Sequence, residues 1–152
     1  WLCYARSVTA QAKTFIPERP DLEGGLKTVT RPDVVMALSE MENGALMRWE
    51  WSALASPEPI CCLTVYGRDG ALHYDFKTDE IALSRQGGAW EPVTIPPDMI
   101  QPWTVEQDFI AAVREGKEAH PDFEDGVKYM EFTEAVFRSA ESGRRIELPL
   151  AD

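Results

Sequence analysis

The chain has 152 residues, 44% of them hydrophobic, which suits one compact core and leaves a second full domain unexpected at this length. Its 26 acidic against 15 basic residues give a net charge of −11, a balance that repels phosphate backbones and anionic bilayers and sets nucleic-acid binding and membrane docking aside. No apolar run approaches the roughly 20 residues that span a bilayer, and no basic segment followed by an apolar one marks a signal peptide. There is no initiator Met, so the chain reads as a piece of something longer.

The first two-thirds carries strand signals. Residues 6–15 alternate, with Val8, Ala10 and Ala12 on one side and Ser7, Thr9, Gln11 and Lys13 on the other. Pro17, Pro20, Gly24, Gly25 and Pro32 then punctuate a loop. Strands over residues 33–41 and 45–53 flank Asn43-Gly44, the pair favoured in a tight type I′ hairpin. Residues 60–66 and 71–76 flank a second turn at Gly67-Arg68-Asp69-Gly70, and residues 80–85 and 90–95 a third at Gly87-Gly88, with Pro92 marking an edge strand. The period then changes. Thr104 with Gln107 has capping-box spacing, and Val105, Phe109, Ala112 and Val113 follow on one helical face until Gly116. Asp122 with Asp125 predicts a second N-cap. The helix behind it places Tyr129, Met130, Phe132, Val136, Phe137 and Ala140 on one broad face and ends at Gly143, before a last strand over residues 145–150. Strands first and helices last indicate an α+β domain: one open, mostly antiparallel sheet with two C-terminal helices packed on one face, spanning residues 1–152 as a single domain.

Two helices cover only one side of such a sheet. Both alternating sets are apolar in residues 34–38 and 60–66, and Met47, Trp49 and Trp51 line one face of the strand between them. The uncovered side is expected to meet another domain or subunit, with Trp49 and Trp51 as candidates for an oligomer face; the two share one strand face, and the alternative is that the helices cover it. Cys61 and Cys62 read as small buried residues; three cysteines make no disulfide framework and suggest a reducing, cytoplasmic compartment.

The catalytic inventory is thin. There is no P-loop, no G-x-S-x-G, no H-E-x-x-H and no G-x-G-x-x-G. His73 and Asp75 share a strand face at a spacing a metal can use, though no third ligand is visible. His120 precedes Pro121 and reads as a solvated loop residue. Glu40 and Glu50 form a possible carboxylate pair across the Asn43-Gly44 hairpin, against the commoner reading of charges on an exposed face. No nucleophile or acid–base pair emerges to support a self-sufficient hydrolase.

The order of several segments resembles the C-terminal domain of the Gfo/Idh/MocA family of NAD(P)-dependent oxidoreductases, the glucose–fructose oxidoreductase and inositol dehydrogenase group. These are Ser7-Val8-Thr9-Ala10, Asn43-Gly44-Ala45, residues 63–72, residues 105–116, residues 123–128, Glu134-Ala135-Val136, and residues 139–143 leading into Leu148-Pro149. The resemblance implies a parent enzyme that transfers hydride between NAD or NADP and a sugar or polyol. It further implies a preceding Rossmann domain as partner, and assembly into a homo-oligomer through the sheet. That Rossmann domain, with its Glu-Lys-Pro lysine, is not in these residues. The family's Asp and His sit on a helix whose tail resembles residues 1–4, so their positions lie upstream. No catalytic, cofactor-binding or metal residue is therefore assigned here. In the family, the loop before the Gly-x-x-Gly turn often reaches the substrate. Its counterpart is residues 55–59, which makes Ser56 and Glu58 substrate-lining candidates; the loop lacks the aromatic residue of some sugar-type members, and Pro57 and Pro59 equally suit a stiffened connection. The alternative is a stand-alone binding or scaffold module that pairs with a partner through its open sheet.

Overall fold

A computed structural model describes residues 3–54, 60–100, 102–118 and 121–151. In chain order they form β1 (Ala5–Lys13), β2 (Glu18–Pro20), β3 (Leu26–Thr28), β4 (Val34–Met41), β5 (Leu46–Ser52), β6 (Cys62–Gly67), β7 (Gly70–Asp75), β8 (Glu80–Arg85), β9 (Glu91–Val93), α1 (Val105–Glu115), α2 (Phe123–Ser142) and β10 (Ile146–Glu147). The fold class is α+β, and every described strand pair is antiparallel. The strands do not form the one sheet expected. They order as β10-β1-β4-β5, as β6-β7-β8-β9, and as the short hairpin β2-β3, which occupies part of the predicted loop. The described residues gather into two compact units: those up to Leu54 together with those from Ala111 onward, and those between. The helix α1 starts in one and ends in the other and buries none of its residues; Phe109 and Val113 are exposed.

The first unit is built around α2. Opposed residues in antiparallel strands point to the same side, so the register Ala10–Ala37–Trp49 and Ala12–Val35–Trp51 defines one face. On that face Val8, Ala10 and Ala37 pack against Ala135 and Val136 of α2, with Val35, Trp49, Phe132, Ala140 and Ile146 around them. Alanines at the centre let the helix backbone approach the sheet. Tyr129 and Met130, expected on the packed face, are instead exposed, so the buried stripe is narrower than the sequence implies.

Both ends of α2 are fixed. The predicted capping box forms: the Asp122 carboxylate accepts from the backbone N–H of Glu124 (2.8 Å) and Asp125 (3.0 Å), and Asp125 Oδ2 accepts from Asp122 N (3.1 Å). The Tyr4 phenol donates to Asp125, which pushes its pKa up to about 12. At the other end Gly143 takes the left-handed conformation (φ 68°). Just before it, the fully buried Ser139 accepts from Ala10 N–H (2.8 Å) and donates to Arg144 C=O (2.6 Å). One hydroxyl thus satisfies β1 where β10 no longer pairs with it. Ser139→Ala strands both groups and is expected to cost about 1–3 kcal/mol in urea denaturation.

Asp33, also buried, ties β1 to the β2-β3 hairpin. Its carboxylate accepts from Phe15 N–H (2.7 Å) and Ile16 N–H (2.8 Å) and pairs with Arg19. These bonds, the one from Ile16 foremost, outweigh desolvation and hold its pKa below the ordinary carboxylate value. A depressed folded-state pKa contributes stability above the unfolded value, near 3.9, that disappears as pH falls through the folded one. The urea-midpoint gap between wild type and Asp33→Asn is therefore expected to be constant near neutrality and to close below about pH 4.

Candidate functional site

The other face of β10-β1-β4-β5 carries no helix of its unit. Its cross-strand rows are Gln11–Met36–Glu50, Thr9–Leu38–Arg48 and Ser7–Glu40–Leu46, of which Ser7, beside a register shift in β1, is buried. Met36, Leu38 and Leu46 are 53%, 63% and 86% exposed. A charged cluster borders them. Arg145 on the approach to β10 reaches Glu40 (2.9 Å) and Glu147 (2.7 Å), and Arg6 lies 3.8 Å from Glu40. The carboxylates, Glu40 foremost, raise the Arg145 pKa further above its ordinary value. Exposed apolar side chains beside a polar rim have the anatomy of a protein interface.

The sequence candidates are placed as follows. Trp49 and Trp51 share one face of β5, the face on which Trp49 meets Phe132 of α2, while Trp51 is 43% exposed. Trp49 is half-buried, its ring 5.1 Å from Phe132 and 5.4 Å from Trp51, and its Nε1–H donates to Ser39 Oγ (2.9 Å). Ser56 and Glu58 lie outside the described residues, as does His120. Glu40 and Glu50 share the open face but do not oppose each other, since Glu40 faces Leu46 and Glu50 faces Met36. Cys61 and Cys62 are exposed, not buried: they stand at the start of β6, where Cys62 pairs with the polar Asp75 and the Cys61 carbonyl accepts from Phe76 N–H (2.9 Å). His73 and Asp75 do share a strand face, and each is engaged locally. His73 Nδ1 is 2.8 Å from Thr64 Oγ1 and its ring meets Trp90 edge-on. Asp75 accepts from Lys77 N–H, chiefly, and from Thr78 N–H, which lowers its pKa. Among the described residues no group of three His, Cys, Asp or Glu side chains comes together to hold a metal. No described helix is long and apolar enough to cross a membrane.

Residues 27–148 match the family model described as "Oxidoreductase family, C-terminal alpha/beta domain". No curated protein matches the chain. Among solved structures, levoglucosan dehydrogenase in complex with NADH and L-sorbose superposes with a TM-score of 0.82 at 22% identity, over 96% of this chain and 46% of that one. An NAD binding oxidoreductase from Klebsiella pneumoniae gives 0.81 at 19% identity, over 98% and 46%. The WlbA dehydrogenase from Bordetella pertussis, in complex with NADH and UDP-GlcNAcA, gives 0.71 at 20% identity, over 97% and 41%. The chain thus spans a little under half the length of the structures it resembles. At these identities the likeness is one of fold.

Proposed function

Because the chain belongs to the Gfo/Idh/MocA oxidoreductase family, as its C-terminal alpha/beta domain, we propose that it is the substrate-binding and oligomerisation half of an NAD(P)-dependent dehydrogenase acting on a sugar or polyol. The observation that carries this is the family match over residues 27–148, joined to structural neighbours more than twice as long that hold NADH. The nicotinamide, when bound, supplies the hydride chemistry. The described residues do not suit it: a dinucleotide site needs parallel strands joined by a helix behind a glycine-rich turn, whereas every described pair is antiparallel. The cofactor is therefore assigned to the Rossmann domain of the parent chain, and this domain contributes a wall and an interface. Ser56 and Glu58 remain the proposed substrate-lining residues. The open face of Met36, Leu38 and Leu46 is the proposed contact between copies. The cytoplasm is the proposed compartment, in keeping with three free thiols.

The gene tests this reading. An uninterrupted frame upstream of Trp1 that encodes G-x-G-x-x-G and then Glu-Lys-Pro is expected. A start codon at or near Trp1 would overturn it and leave a stand-alone module that pairs through the same sheet.

A further inference from the structure

We propose that a cleft at the end of β1 binds a small ligand through an oxyanion, a phosphate or carboxylate group held between Lys13 and Arg31. The cleft, about 310 Å³, lies between the last residues of β1, the turn leading into β4 and the C-terminal turns of α2. Three cations line it: Lys13, Arg31 and Arg138. Arg138 is already satisfied, its Nε 2.8 Å from Glu134. Arg31 instead stands over an aromatic ring, its Cζ 5.5 Å from the centre of Phe137. Among the described residues neither Arg31 nor Lys13 has a carboxylate within ion-pair distance, although Glu141 also lines the cleft.

In a chain with 26 acids and 15 bases, carboxylates are the abundant partner. Among the described residues Arg6, Arg19, Lys27, Lys117, Arg138 and Arg145 of this unit each have one, while Arg48, Arg114, Lys128 and Arg144, like Lys13 and Arg31, do not; what sets Lys13 and Arg31 apart is that they line one cleft together. With Arg138 paired to Glu134, Lys13 and Arg31 stand against the one further lining carboxylate, Glu141, and this excess of one positive charge on a concave polar surface favours an anion there against the charge of the whole. A guanidinium held over a ring gives up little conformational freedom on binding and keeps N–H groups for a planar oxyanion. The Thr14 hydroxyl donates to the Arg31 carbonyl (3.4 Å), linking the two walls, and Thr30 adds a neutral donor.

Anion binding here is independent of the dehydrogenase reading, so each can fail without the other. The chain is titrated calorimetrically at fixed ionic strength with inorganic phosphate, with glucuronate and with neutral glucose, while amide shifts of Thr14 and Arg31 are followed by NMR. A saturable heat is expected from phosphate or from glucuronate, none from glucose, and the shifts should move at the cleft. Whichever anion binds identifies the source of the charge. Lys13→Gln is an exposed change that should leave the anion-free melting temperature unaltered, Arg31→Gln should lower it only by what its contact with the Phe137 ring contributes, and each should weaken binding about tenfold, the loss of one charge-assisted hydrogen bond. Absence of saturable heat with both anions, wild-type affinity in both variants, or shifts confined to another surface would overturn the site.

Discussion

Gly70→Ala is expected to destabilise the strands β6–β9 by about 3 kcal/mol, far more than the loss of one turn glycine suggests. A Cβ on Gly70 would stand 2.3 Å from the Ser84 carbonyl oxygen and 3.3 Å from Arg85 Cα, both backbone atoms of β8. Neither has room to retreat. Gly70 pairs with Arg85 and Ala71 with Ser84, and Ser84 Oγ, nearly buried, donates to Gly88 C=O (2.8 Å) across the following turn. Gly67 is the control from the same turn. Its Cβ would meet the Gly70 carbonyl at 3.7 Å, an ordinary contact, so Gly67→Ala should cost under about 1 kcal/mol. Amide hydrogen exchange at Leu72 and Leu83 reads the two variants without assuming that the whole chain unfolds together. Equal protection in both would show that the β7–β8 approach is looser than described.

Leu38→Glu combined with Leu46→Glu is expected to weaken self-association on the order of a hundredfold while leaving stability within about 0.5 kcal/mol. Both residues are more than half exposed in the single chain, so the fold loses little by their change. An interface through this face has to desolvate them and would then bury two carboxylates. A stable contact needs roughly 800 Å² from each copy, within reach of a four-stranded face, and a two-fold axis is the simplest way to pair a face with itself. Trp49→Glu separates the two sides of the sheet. It breaks the Phe132 contact and the Ser39 hydrogen bond, so it should lower stability without acting on the open face directly. Light scattering after size exclusion should give twice the chain mass for wild type at tens of micromolar and the single mass for the double variant. A wild-type monomer independent of concentration would refute the open-face contact.

The placement of the Trp pair shows what a sequence makes legible. Alternation identified β1, β4 and β5, and it correctly grouped Met47, Trp49 and Trp51 on one face, because parity along a strand follows from the pleat alone. Which face they take depends on the turn. A two-residue type I′ loop at Asn43-Gly44 would set Trp49 opposite Leu38. The chain instead makes a three-residue loop: Met41 C=O accepts from Gly44 N–H (2.8 Å), Met41 N–H donates to Ala45 C=O (2.8 Å), and only Gly44 has positive φ (83°). That one extra residue sets Trp49 opposite Ala37 and sends it under α2. The type I′ pair occurs at Gln86-Gly87 instead, with φ of 45° and 79°, where Gln86 gave no sequence signal for it. The capping box of α2 was readable because its partners are three residues apart. The anchoring of Asp33 was not, since its backbone donors at Phe15 and Ile16 are distant in sequence. Of the site, the surplus apolar strand residues pointed to an uncovered face, and they could not say that Met36, Leu38 and Leu46 form it.

Nicotinamide binding, compared between two forms of the polypeptide, tests the central claim most directly. The 152-residue chain and the complete product of the reading frame that encodes it are each titrated with NADH and NADPH while the fluorescence of the nicotinamide is followed. The chain alone is expected to leave both signals unchanged. The complete product is expected to bind one of them saturably and to reduce the oxidised form when a sugar or polyol substrate is supplied. Saturable micromolar binding by the 152 residues alone, or none by the complete product, would contradict the assignment of this chain as the substrate and assembly half of a dehydrogenase.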